Sequence, residues 1–126
     1  MNEPLKVVDA APHVQLLELH RPAALNALNG DLVLKLHEQL DRLQHDDRVR
    51  VVFLTGAGRA FCAGADLGGE RFPIGFDGSP QREWLEVQKR YSSLVLKLRR
   101  IPQPVIAAVN GPCAGGGFSL AMASDI

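Results

Sequence analysis

Two glycine-bearing segments hold the residues best placed to do chemistry. They are Arg59-Ala60-Phe61-Cys62-Ala63-Gly64-Ala65-Asp66 and Asn110-Gly111-Pro112-Cys113-Ala114-Gly115-Gly116-Gly117-Phe118. Each follows a short, β-branched, apolar run, so each stands at the exit of a buried strand. Each leaves backbone bare where a side chain would obstruct a ligand. Two such loops at strand ends can aim two backbone N–H donors at one oxygen atom, as a reaction through an oxyanion requires. The three glycines also open a helix whose first N–H groups lack intrahelical partners and whose dipole favours negative charge. A glycine loop can equally be a tight connection with no ligand. The second loop, ending at Ala65, favours function because it supplies a partner donor.

Other chemistries fit less well. Gly111 and Gly116 stand at the spacing of a nucleotide-phosphate loop, but Gly117-Phe118 replaces the Lys-Ser/Thr that loop needs. Gly56-Ala57-Gly58 is followed by Phe61 where a dinucleotide-binding turn places its third glycine. Gly117-Phe118-Ser119-Leu120-Ala121 approaches a nucleophile elbow, yet Ser119 lies beyond the strand-to-helix corner. His13, His20, His37 and His45 all precede Ser119, the wrong order for that triad. Nor do they show metal-ligand spacing, and no metal is expected; they read as surface or helix-cap residues. Trp84 and Tyr91, seven apart, read as core.

The elements that position the loops follow from periodicity. Val14–Leu19 partly alternates and reads as a strand stopped near Pro22. Asn29 is a helix cap, followed by Leu32, Val33, Leu36, Leu40 and Leu43 at helical spacing to about His45. Val49–Leu54 is nearly all apolar, as expected of a strand covered on both faces, and a Thr55–Gly58 turn follows. Gly64 to Pro80 reads as a long surface loop. Gln81 to Arg100 returns to helical period, with Trp84, Leu85, Gln88, Tyr91, Leu94, Val95 and Leu98 on one side, and Pro102 and Pro104 end it. Val105–Val109 is a third strand, and Gly116–Ala123 opens another helix. This order predicts an α/β fold with parallel strands and crossover helices. The chain stops at Ser124-Asp125-Ile126 where a further strand could start, so the sequence reads as cut.

Composition narrows the partners. Fourteen basic and fourteen acidic residues balance, which argues against nucleic acid or a polyanionic surface as partner. The local excess in Arg71, Arg82, Lys89, Arg90, Lys97, Arg99 and Arg100 reads as solvated helix faces, with a phosphate-bearing ligand as the alternative. Cys62 and Cys113 form no C-x-x-C pair and read as reduced thiols. The N-terminus lacks a signal-peptide pattern, and no apolar run of about 18 residues exists to span a membrane. A cytoplasmic protein is expected.

At these residues the chain resembles the enoyl-CoA hydratase/isomerase (crotonase) superfamily over essentially its whole length. The marks are Arg21-Pro22 with Leu25-Asn26-Ala27-Leu28, then Gly56-Ala57-Gly58 leading to Phe61–Asp66. The third is Pro104–Gly111 running into Gly115-Gly116-Gly117 and Ser124-Asp125-Ile126. The resemblance implies a spiral of ββα units, of which residues 1–126 form the N-terminal part of one domain, and usually a homotrimer or a dimer of trimers. It implies acyl-CoA thioesters as substrates, coenzyme A being part of the substrate and not a separate cofactor. It places the backbone N–H groups of Ala65 and Gly116 in an oxyanion hole. Ala23, Ala24, Leu25, Ala63, Asp66 and Leu67 fall where the family cradles coenzyme A, with Arg21 near its phosphates. One departure matters: Ser119 stands where the family carries its first catalytic glutamate, and the second lies beyond Ile126. Serine is no carboxylate base, which disfavours standard hydration relative to isomerisation or other enolate chemistry. A non-catalytic acyl-CoA- or partner-binding chain, and a Ser119 thioester hydrolase, are the alternatives.

Overall fold

A computed structural model of the chain describes residues 3–68 and 78–126. The chain-order elements are β1 (Leu5–Ala11), β2 (Val14–Leu19), a 3-10 turn (Pro22–Ala24), α1 (Gly30–Leu43), β3 (Val51–Gly56), α2 (Pro80–Arg100), β4 (Val105–Ala108) and α3 (Gly116–Ala123). They form one sheet in the order β1-β2-β3-β4. The β2–β3 and β3–β4 pairs are parallel, as expected, but β1 joins β2 antiparallel. The three strands read from the sequence thus pair in parallel, and β1 is a further strand that the pattern did not reveal. The reason is local: only Leu5 of β1 is buried, so no alternation marks it. His13 makes the tight return to β2 at φ 64°, a left-handed conformation that histidine visits more readily than most residues.

The strands present one face to the core. In β2 and β3 every second residue is buried, and the register sets Leu17 beside Leu54 and Leu54 beside Ala107. The expectation that β3 is covered on both faces is corrected accordingly: Val51, Phe53 and Thr55 are only half-buried. Strand β3 also begins later than expected and runs through Thr55 and Gly56. Helix α1 covers the buried face with Leu32, Val33, Leu36, Leu40 and Leu43, the apolar stripe legible in its spacing. Its cap is Asn29, whose side-chain oxygen accepts the Leu32 N–H at 2.9 Å. Helix α2 starts from Ser79, which accepts the Arg82 N–H, and adds Leu94 and Leu98 to the core. Burying each leucine stabilises the fold by roughly 2 kcal/mol before entropy is counted.

His37 corrects the surface reading of the histidines. It is buried between α1 and α2, with Nε2 2.8 Å from the Arg90 carbonyl. Burial pulls its pKa below the usual 6.5.

Beneath the sheet lies a second layer of short contacts. Leu28 pairs with Ala65 and Cys62 pairs with Cys113, each as an isolated parallel bridge. Three turns of chain thus repeat one plan: a sheet strand, a short second-layer segment and a helix. Both cysteines are free thiols. A fourth turn begins at the end of the chain, where Asp125 donates to the Val105 carbonyl and Ala107 donates to that of Ile126, both at 2.8 Å. Among the described residues no helix is long and apolar enough to cross a membrane.

Candidate active site

The site is assembled on the second layer, and two asparagine amides set its frame. Asn26 is fully buried at φ 56° and donates from Nδ2 to the carbonyls of Ala57 and Ala60, each at 2.9 Å. Asn110 works from the other side. Its Oδ1 accepts the Gly56 N–H, and its Nδ2 donates to the carbonyls of Gly56, Gly58 and Ala60. The turn leaving β3 is thereby tied to both neighbouring turns of chain. Neither role is visible in sequence, although Asn26 and Asn110 stand inside the segments that mark the resemblance.

The two glycine loops then meet directly. Phe61 and Cys62 donate to the Pro112 carbonyl at 3.1 and 3.2 Å, and Ala114 donates to Cys62 at 3.0 Å. Contact is close enough to demand glycine. A Cβ on Gly117 would stand 2.6 Å from the Cys62 Cβ, and one on Gly64 would stand 3.0 Å from the Ala114 carbonyl oxygen. Gly64 also holds φ 102° and Gly115 φ 53°, conformations that side chains resist.

Peptide geometry fixes where the two N–H groups point. The Gly64 carbonyl accepts the Leu28 N–H at 2.7 Å. In a planar trans peptide the carbonyl and the following N–H face opposite ways, so the Ala65 N–H turns away from Leu28. At the other loop the Gly115 carbonyl accepts the Ser119 N–H at 3.1 Å, so the Gly116 N–H points out of the start of α3. Among the described residues neither N–H donates to a protein acceptor. Ala65, Gly116 and Ser119 all line one cavity of about 750 Å³, with Leu28, Leu94, Val95 and Leu120 among its apolar walls.

Helix α2 supplies the opposite wall, and here the core reading is corrected. Trp84 is 65% exposed and lines the cavity instead of filling the core; Leu85 is also exposed. Both stand in the second turn of α2, beyond the part of the helix that packs Leu94 and Leu98 into the core. Tyr91 is half-buried, lines the same cavity and donates from its hydroxyl to the Leu28 carbonyl at 2.9 Å. Burial, with the nearby Asp66 charge, raises its pKa. The loop read from Gly64 to Pro80 lies mostly outside the described residues, and Arg71 lies outside them.

The other singled-out residues form one surface strip. Leu25, in the left-handed conformation at the end of the 3-10 turn, accepts the Ala63 N–H at 3.0 Å, which sets Ala23 and Ala24 beside the first glycine loop. Asp66 and Leu67 both line the cavity, Leu67 at its open side with 99% of its surface exposed. The Asp66 carboxylate accepts from Arg21 Nη2 at 3.0 Å and from the Gly68 N–H at 3.1 Å. Arg21 also donates from Nη1 to the Ala27 carbonyl. The Arg21 guanidinium, expected near the coenzyme A phosphates, is thus engaged within the protein through Ala27 and Asp66. Ser119 lies inside α3, with Oγ 3.4 Å from the Gly115 carbonyl, and no histidine is among the residues lining the cavity.

Known proteins resemble this chain in sequence and in fold. The enoyl-CoA hydratase/isomerase family model matches residues 9–126. A probable enoyl-CoA hydratase of Mycobacterium leprae is 44% identical over 124 residues, covering 91% of this chain and 40% of that protein. The 1,2-epoxyphenylacetyl-CoA isomerase of Escherichia coli is 42% identical over 113 residues, covering 90% of this chain and 42% of that protein. The crystal structure of a probable enoyl-CoA hydratase/isomerase from Mycobacterium abscessus superposes with TM-score 0.87 at 40% identity, over 98% of this chain and 45% of that one. The chain thus spans about two-fifths of the length of these curated relatives. With its strands, second layer and helices in the crotonase arrangement, the chain belongs to the enoyl-CoA hydratase/isomerase family.

Proposed function

We propose that this chain supplies the thioester-polarising half of an acyl-CoA enzyme, with the Ala65 and Gly116 N–H groups binding the thioester oxygen. The observation that carries the reading is the pair of adjacent, unengaged backbone donors facing one largely apolar cavity. Two donors aimed at a carbonyl oxygen stabilise the enolate that forms when a proton leaves the α-carbon. The strip formed by Ala23, Ala24, Leu25, Ala63, Asp66 and Leu67 supports binding of the coenzyme A portion beside the cavity mouth. In this reading the protein works in the cytoplasm and assembles as a homotrimer.

Isomerisation of an enoyl-CoA, or related enolate chemistry, is favoured over hydration. Hydration needs a carboxylate base at the water, and Ser119 offers only a hydroxyl that leans on the Gly115 carbonyl. No histidine stands beside Ser119 in the cavity lining, which weighs against thioester hydrolysis. A binding-only role follows if no proton is moved.

Titration with acetoacetyl-CoA tests the reading through the absorbance of its enolate. A saturable enolate band is expected. Gly116→Pro removes one donor while keeping a residue tolerated at a first helical position. It should weaken the band, and in a catalytically competent assembly lower the rate by about 100- to 1000-fold. A band of unchanged strength in Gly116→Pro overturns the assignment. Turnover of an enoyl-CoA, followed by product analysis, separates isomerisation, hydration and binding alone.

A further inference from the structure

The Ala65 donor is the last link of a line that begins on a cation. Arg21 Nη1 donates to the Ala27 carbonyl. The same peptide unit ends in the Leu28 N–H, which donates to the Gly64 carbonyl at 2.7 Å. That next unit ends in the Ala65 N–H, which faces the cavity. Because each planar amide sets its carbonyl opposite its N–H, direction passes from unit to unit. Polarisation passes the same way. An amide whose oxygen accepts a strong bond becomes a better donor, and a guanidinium contact is stronger than a neutral one.

Arg21 is itself held in place. Its Nη2 donates to Asp66 Oδ2 at 3.0 Å, and its backbone N–H donates to Asn26 Oδ1 at 2.8 Å. The Asp66 N–H returns to the Leu28 carbonyl at 3.0 Å, and the Tyr91 hydroxyl reaches the same oxygen at 2.9 Å. The Arg21–Asp66 pair thus closes a ring around the two peptide units, next to the donor it serves.

We propose that Arg21 is a positioning residue that aligns and polarises the Ala65 N–H through the Ala27–Leu28 and Gly64–Ala65 peptides. The inference rests on the reading that Ala65 and Gly116 bind the thioester oxygen. Arg21 touches no substrate atom in this role; its influence arrives through the backbone.

The test uses the full chain and 4-(dimethylamino)cinnamoyl-CoA, whose absorption band moves to the red when its thioester carbonyl is polarised. Binding is measured separately by equilibrium dialysis. The wild-type chain should show a red shift, Arg21→Lys should keep most of it, and Arg21→Gln and Arg21→Met should lose roughly a tenth to a third at saturating ligand. A purely structural staple would lower the melting temperature in these variants and leave the shift of bound ligand unchanged. Full wild-type shifts in both Arg21→Gln and Arg21→Met overturn the proposal while leaving the donor reading intact. If Arg21→Met fails to fold, equal shifts in the Lys and Gln variants overturn it. Bound ligand with no shift in the wild-type chain, or no binding at all, removes the donor reading itself.

Discussion

At the scale of single residues, the site depends on groups chosen for what they lack. Gly117 has no Cβ because Cys62 occupies that space, with its own Cβ 2.6 Å from where one would stand. Gly117→Ala should therefore push the two glycine loops apart. A destabilisation of about 1–3 kcal/mol in denaturant unfolding is expected, together with a weaker acetoacetyl-CoA enolate band. Ser119 is the opposite case. It is exposed, and its hydroxyl makes one long contact to a carbonyl that already accepts the Ser119 N–H. Ser119→Ala should change stability by less than about 0.5 kcal/mol and leave the enolate band at wild-type strength. Loss of the band in that variant would give the hydroxyl a role in ligand binding. Asn26 shows how such residues hide: a buried asparagine in a left-handed conformation looks like any other polar residue until the carbonyls it ties are in view.

At the scale of elements, α2 has two duties, and its two halves differ in chemistry. Its C-terminal half packs Leu94 and Leu98 into the core, while its N-terminal half leaves Trp84 and Leu85 exposed. The join between α1 and α2 carries His37, faced by Asp41 on its own helix and by Arg90 and Lys97 from α2. Desolvation lowers its folded-state pKa below 6.5, with the cations adding to that and Asp41 opposing it. Well above pH 6.5 the residue is neutral in both states and its protonation contributes nothing. As the pH falls below that value the unfolded chain takes up the proton first, so stability should fall until folded His37 is itself protonated. Melting temperatures between pH 7.5 and 5.5 should show this loss, and His37→Gln should flatten it. An equal slope in both proteins would assign the pH dependence elsewhere.

At the scale of the whole molecule, the site exists only because successive turns of chain are stacked in register. Asn110 spans two of them, linking the exit of β4 to the turn after β3. Asn110→Ala should cost about 1–2 kcal/mol and weaken the enolate band in parallel, whereas a change confined to one turn would separate the two effects. Stability and band strength measured on the same samples check this. Sequence alone determined much of the molecule, because local rules suffice for it. The Leu32 to Leu43 stripe and Asn29 cap define α1, partial alternation defines β2, apolar runs define β3 and β4, and the two glycine segments mark where bare backbone meets. It also carried enough motif to point to the family. Tertiary structure alone decided the rest. Strand β1 is one-sided and leaves no periodic signature. Trp84 reads as core by spacing and faces a cavity by geometry. The second layer pairs residues 37 and 51 positions apart, Leu28 with Ala65 and Cys62 with Cys113, through backbone groups that every residue possesses. Sequence patterns report side chains, and the direction of a peptide N–H is set by whichever distant group holds the carbonyl behind it.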